Sequence, residues 1–316
     1  MLPFDSDRQR QVETATPSSI TKSVQKIFVQ QFHQIYANAE GEMNRLVDFI
    51  TKAYQIDNVV LLINGTLHGY EREDLLERCH PLGMFEALPA ITIASSPNEI
   101  YHTVLAESPI GRYFKHCLSA DDLNEMHVEM IRGSLSRAYL EHFHEWISGL
   151  TNEGSRSTML DMLCLEADRR SLSILISTMG TGVLDPATKL RLMPRFGRLW
   201  ESGTAERLVM AEDMTTFRQA LEPVPEYLVM FPMDSLDNGK DDVSFGQGLA
   251  DERTLEELLA EREVTMAKMS FAYPFTITPV YAWTRLKEQE LRNIHWIAEC
   301  IAQRQKSHIS HYIPTS

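Results

Sequence analysis

The sequence predicts an all-α protein. Three observations carry this: apolar residues recur at helical spacing over most of the chain, alternating strand patterns are nearly absent, and one acid–base pattern recurs inside the helical stretches. Residues 1–20 are polar, close with Pro17-Ser18-Ser19, and are expected to form a disordered or loosely attached leader. Phe28, Phe32, Ile35 and Tyr36 then lie at helical spacing, and a second segment spans residues 42–63. Leu75 begins a short helix that must stop before Pro81-Leu82-Gly83. Ser119 opens a long helix through Met126, Met130, Leu135, Tyr139 and Phe143 to Trp146, and another covers residues 158–177. Short helices follow near 186–193, 204–211 and 213–221. Residues 232–252, rich in Asp, Gly, Ser and Asn, read as a mobile loop. Two closing helices cover 253–270 and 280–306, and Pro274 and Pro279 predict a kink or break between them. Phe275-Thr276-Ile277-Thr278 is too short and too Pro-flanked to count as a strand.

Composition excludes several function classes. With 316 residues the chain has ample material for a core, and 43% hydrophobic with 23% charged residues is ordinary for a globular protein. The longest apolar candidate, Val59-Val60-Leu61-Leu62-Ile63, stops at Asn64-Gly65, far short of the roughly 18 residues that a membrane span needs. Any membrane contact is therefore expected to run through partners. Met1 to Arg8 contains no apolar stretch of a secretory signal, and no two of Cys79, Cys117, Cys164 and Cys300 have CxxC spacing. Buried free thiols and a cytosolic address are expected. The net charge of −14, from 44 acidic and 30 basic residues, opposes sequence-independent binding of nucleic acid and adsorption to an anionic lipid surface.

The strongest internal signal is a repeat. Glu166-Ala167-Asp168-Arg169-Arg170-Ser171-Leu172 and Glu288-Gln289-Glu290-Leu291-Arg292-Asn293-Ile294 share the pattern E-x-[D/E]-x-R-x-[L/I]. A weaker third copy, Lys52 through Val59, aligns with Lys287 through Ile294, which sets Asn58 against Asn293. The spacing is too long for a solenoid unit of 20–50 residues. It predicts three pseudo-symmetric multi-helix modules, roughly residues 21–118, 119–231 and 253–316, arranged about one axis.

Glu166 with Arg170, and Glu288 with Arg292, are i, i+4 pairs with the acid on the N-terminal side. Both lie in helices that are apolar nearly all round, so their charges must be paired on burial. They are expected to act as inter-helix clamps rather than as an acid–base couple, because each arginine would hold its carboxylate ionised. Asp121, Asp122 and Glu125 superficially match the aspartate-rich metal motif of helical terpenoid enzymes. With Ser119 as N-cap and Asp122 at N3, however, they read as a capping box. His142 and His144, at i, i+2, lie on different helix faces and cannot easily share a metal. Gly239-Lys240-Asp241 and Gly180-Thr181-Gly182 fall short of nucleotide-binding motifs. No catalytic, cofactor-binding or metal site emerges.

Several strings resemble the subunit d family of vacuolar-type proton ATPases, which has counterparts in archaeal and bacterial rotary ATPases. They are Asp48-Phe49-Ile50-Thr51, Ile56-Asp57-Asn58-Val59, Gly65-Thr66-Leu67-His68, Cys79-His80-Pro81-Leu82-Gly83 and Glu166 through Arg170. Lys287 through Glu290, Arg292-Asn293-Ile294 and Trp296 through Gln303 complete the series. The resemblance implies a funnel of three helical modules that is not itself an enzyme. It implies a place on the cytoplasmic face of a vacuolar, endosomal or other acidic-compartment membrane. There the protein would link the central rotary stalk to the membrane-embedded proteolipid c-ring and couple ATP hydrolysis to proton transport. The family begins with a further segment that completes the first module, and residues 1–20 do not resemble it. Two alternatives stand beside this reading: a helical scaffold paralogue outside the pump, and a metal-dependent helical enzyme using Asp121, Asp122 and Glu125.

Overall fold

The structure is a computed structural model that describes residues 16–93, 99–102, 108–117, 128–231, 253–305, 309 and 312–315. The described residues are helical throughout, without a strand, and none of their helices is long and apolar enough to cross a membrane. The long elements are α1 (Pro17–Ala37) and α2 (Gly41–Leu67). The short α3 (Arg72–Arg78), a 3-10 turn (Pro81–Gly83), α4 (Leu88–Ile91) and α5 (Gly111–Cys117) follow. Then come α6 (Val128–Ser148) and α7 (Glu153–Ser177). Five short helices succeed them: α8 (Pro186–Leu192), α9 (Arg198–Glu201), α10 (Ala205–Leu208), α11 (Met214–Ala220) and α12 (Pro225–Leu228). The chain closes with α13 (Leu255–Ser270) and α14 (Thr278–Ala302).

Helix α1 begins inside the stretch expected to be a leader, and the cause is local. Thr16 accepts from the Ser19 amide at 3.2 Å while the Ser19 hydroxyl accepts from the Thr16 amide at 3.0 Å. Pro17 then occupies the first turn, where its missing N–H costs nothing. The expected break near Pro274 and Pro279 is present: α13 ends at Ser270, and α14 starts at Thr278 with Pro279 in its first turn. Ser119, Asp121, Asp122 and Glu125, expected to form a capping box, and residues 232–252, expected to form a loop, lie outside the described residues.

Packing follows the apolar faces. Phe49 of α2 stacks on Phe143 of α6 at 4.6 Å between ring centres and on Trp146 at 5.1 Å. Helix α1 lies on α14 through Phe28 and Trp283, 5.6 Å apart, and Thr21 is 3.2 Å from the His295 ring. Helix α7 packs against α6 on one side and against α13 and α14 on the other. The second half of α7 holds a separate apolar cluster with the short helices, built around Leu172, Leu199, Phe217 and Tyr227.

One device recurs where the chain returns to a long helix. The Asn58 amide donates to the His80 carbonyl at 2.9 Å and accepts from the His80 N–H at 2.7 Å. Asn293 does the same with Ile313, donating at 2.6 Å and accepting at 3.3 Å. Each clasped residue precedes a proline, Pro81 or Pro314. The two asparagines are the pair aligned by the repeat.

Candidate functional site

The sequence-nominated charges meet where α2, α7, α13 and α14 converge. Arg285 of α14 lies among three carboxylates: it donates to Glu288 at 2.7 Å, bonds Glu263 of α13, and is 3.5 Å from Glu166 of α7. Glu166 is shared in turn. It accepts from Arg170 at 2.9 Å and pairs with Arg169, whose guanidinium is also 3.5 Å from Glu263. Tyr54 of α2 donates its hydroxyl to Glu288, and its ring stacks on His80 at 4.2 Å. Three glutamates and three arginines thus neutralise one another across three helices, and Tyr54 ties in a fourth. Beside them lies a cleft of about 90 Å³ lined by Tyr54, Asp57, Glu166, Arg170, Arg285 and Glu288.

Of the two pairs named from sequence, Glu166 and Arg170 lie 2.9 Å apart. Glu288 takes different partners, Arg285 and Tyr54, and among the described residues Arg292 has no carboxylate within 4.0 Å. The reason is helical geometry: i, i+3 also brings residues together, and Arg285, one turn before Glu288, can reach Glu263 and Glu166 as well. Arg285 and Glu263 were not nominated from sequence. Their signal was weak, because two of the three carboxylates that Arg285 joins, Glu166 and Glu263, lie on other helices.

Burial works against the Glu166 carboxylate, yet Arg169, Arg170 and Arg285 together hold it well below the usual carboxylate range. Burial likewise opposes the Arg285 cation, and Glu263, Glu288 and Glu166 more than reverse that. Burial, then the neighbouring Glu288, pushes the Tyr54 hydroxyl well up. Glu166 and Arg285 are thus held in their charged forms by one another and by their neighbours, and the Tyr54 hydroxyl in its neutral form.

Two residues along α7, Asp168 has a different environment. It is almost completely buried and accepts from the amides of Arg198 and Leu199 at 2.9 and 3.1 Å and from the Tyr227 hydroxyl at 2.8 Å. It thereby caps α9 and pins the short-helix cluster to α7. A Cβ on Gly197, whose φ is +102°, would stand 2.6 Å from the Asp168 carboxylate, so only glycine fits that approach. Burial pushes Asp168 up to about 7, against the pull of its three hydrogen bonds. Sequence reasoning saw Asp168 only as part of the repeated pattern.

Among the described residues no three His, Cys, Asp or Glu side chains are grouped to hold a metal. Tyr113 and the His142 ring share a hydrogen bond of 2.9 Å, and the His144 ring lies tilted against Phe196 at 4.2 Å. Cys79, Cys164 and Cys300 are free thiols, and burial pushes Cys79 up to about 11 and Cys164 up to about 12, which makes both poor nucleophiles.

Comparison with known proteins gives one consistent answer. Residues 6–312 match the family model described as ATP synthase (C/AC39) subunit, so the similarity extends into the stretch read as an unrelated leader. The chain is 40% identical over 303 residues to the V-type proton ATPase subunit d of Neurospora crassa, covering 95% of this chain and 82% of that protein. It is 36% identical over 302 residues to the subunit of the same name from Saccharomyces cerevisiae, with coverage of 95% and 82%. To that of Dictyostelium discoideum it is 37% identical over 286 residues, with coverage of 90% and 76%.

Proposed function

The chain belongs to the ATP synthase (C/AC39) subunit family, and from that premise we propose that it is the coupling element between rotor parts of a V-type proton ATPase. On this reading the chain is an accessory rather than a catalytic part of the pump, as its similarity to proteins named V-type proton ATPase subunit d suggests. The chain would sit on the cytoplasmic face of an acidic-compartment membrane, receive the central stalk, rest on the proteolipid c-ring, and pass torque from ATP hydrolysis to the ring. The observation that carries this reading is similarity to subunit d along nearly the whole chain.

The geometry supports it physically. A torque-bearing part must resist shear between its helices, and the Glu166–Arg285–Glu288 clamp ties long helices from distant parts of the chain. Breaking one member of a buried network leaves uncompensated charge and costs about 3–5 kcal/mol, so the helices cannot slide cheaply. The recurring asparagine clasp at Asn58 and Asn293 supports the modular, pseudo-symmetric funnel.

The test is affinity purification of the tagged chain from detergent-solubilised membranes of its own cells, with mass spectrometry of what co-purifies. Proteolipid and central-stalk subunits are expected together. A folded chain that brings down neither would sink the coupling role and favour a scaffold outside the pump.

A further inference from the structure

Charge is unevenly placed along this chain. It carries 44 acidic against 30 basic residues, yet residues 186–200 contain Lys189, Arg191, Arg195 and Arg198 and no Asp or Glu. They span α8, the turn that follows it and most of α9. Helix α8 packs on α6 and α7, and its Leu192 side chain stands 3.5 Å from where Gly133 of α6 would carry a Cβ. A further cation comes from α6. Arg137 donates to the Arg191 carbonyl at the C-terminal end of α8 and lies 3.3 Å from Glu141, which in turn accepts from the Arg195 amide at 3.1 Å. The backbone at Arg191 and at Arg195 is thus tied to one Arg–Glu pair on a long helix, which gives both side chains a fixed base.

Three of these cations have nothing to bind. Lys189 is only 7% exposed, and its ammonium forms no hydrogen bond or ion pair among the described residues. Arg191 and Arg195 are exposed, and their guanidiniums are equally without a partner there. The acids nearby are engaged. Asp185 caps α8 through the Thr188 amide, Glu141 is held as described, Asp161 and Glu226 face Arg198, and Glu201 lies by Cys164 and His144. The dipole of a seven-residue helix accounts for Lys189 and Arg191 in its last turn, but not for Arg195 beyond it. An ammonium on a stem that is already fixed also loses little freedom when an anion arrives. A lipid surface is the poorer match for this surplus. None of the exposed large hydrophobic side chains lies in residues 186–200, and a net charge of −14 opposes approach to anionic lipid. Protein carboxylates in a short run can meet all three cations.

We infer that Lys189, Arg191 and Arg195, steadied by Arg137, form a docking surface for an Asp- and Glu-rich segment of another subunit of the same assembly. Complementary charge of this kind steers encounter and fixes register between partners. The inference rests on the proposed function, since it presumes that the chain works within a multi-subunit assembly.

The test uses the full tagged chain expressed in its own cells. Arg191→Glu combined with Arg195→Glu, at two exposed side chains that hold nothing in the fold, should cut co-purification of one pump subunit at least about tenfold, with the unfolding midpoint unchanged. Arg191→Lys combined with Arg195→Lys keeps the charge and should retain that subunit. It also supplies amines that a water-soluble carbodiimide joins to carboxylates in contact with them, and mass spectrometry should place the link in an acidic run of the same subunit. Recovery of pump subunits by the unsubstituted chain, with no loss in the glutamate variant, would overturn the docking surface and leave the coupling role standing. Links from the lysine variant only to carboxylates of its own chain, or to a second copy, would overturn it too. So would flotation of the purified chain with phosphatidylserine-containing vesicles that the glutamate variant loses, which would make the surface a lipid contact. Recovery of no pump subunit by the unsubstituted chain would remove the functional premise itself, and the docking surface with it.

Discussion

Glu166 and Asp168 are two residues apart on one helix, and both are carboxylates turned into protein, yet their surroundings have opposite consequences. Glu166 meets three guanidiniums, from Arg169, Arg170 and Arg285, and stays an anion. Asp168 meets only neutral donors, two backbone amides and a tyrosine hydroxyl, and burial prevails, pushing it up to about 7. Charges offset desolvation where dipoles do so only in part. The first site joins distant helices; the second holds one local cluster to its own helix. A helix that alternates its polar partners in this way serves two packing tasks with one turn of sequence.

The comparison can be broken most severely at its hub. Arg285→Ala leaves Glu166, Glu263 and Glu288 facing one another and is expected to destabilise the chain by about 3–5 kcal/mol, read by urea unfolding. A loss under about 1 kcal/mol would show that the cluster is a solvated surface network instead.

The pH dependence sharpens the contrast. Asp168 has a raised folded pKa, so its favourable contribution is complete below the unfolded carboxylate range, about 4, and is lost as pH rises to about 7. Glu166 runs the other way: with a lowered pKa, its contribution is present above that range and is lost as pH falls. Asp168→Asn should therefore flatten the stability profile between about pH 4 and 7 and leave the acid limb in place. An unchanged slope in that window would refute the assignment.

A smaller effect is expected at the clasps. Asn58→Ala strands the His80 amide and carbonyl, and Asn293→Ala strands those of Ile313, each at about 1–3 kcal/mol. If the two belong to equivalent modules the losses should be similar; unfolding constants that differ about tenfold would argue against the equivalence. The smallest effect has the opposite sign. Phe275→Gly relieves a left-handed backbone at an exposed site and should stabilise the free chain by about 1 kcal/mol, a rise of a few degrees in Tm.

How far the sequence carried is clearest residue by residue. The helical class, the extents of α2, α7, α13 and α14 within a few positions, and the break at Pro279 all follow from local periodicity and from proline's missing N–H. The alignment of Asn58 with Asn293 was legible as a pattern, but the returning segments they clasp were not, because neither His80 nor Ile313 announces a partner many residues away. The start of α1 was missed because a polar leader and a capped first turn share the composition Thr-Pro-Ser-Ser.

By itself, then, the sequence determined what is local or compositional: helices, their breaks, the absence of a membrane-length apolar run, the repeat and the family resemblance. Tertiary structure decided the partners. Whether Glu288 bonds Arg292 or Arg285 is nearly degenerate along one helix, since i, i+3 and i, i+4 spacings are both within reach. The choice fell to Arg285 because α7 and α13 bring Glu166 and Glu263 to its guanidinium, a fact about the packing of distant helices that no single stretch of chain contains.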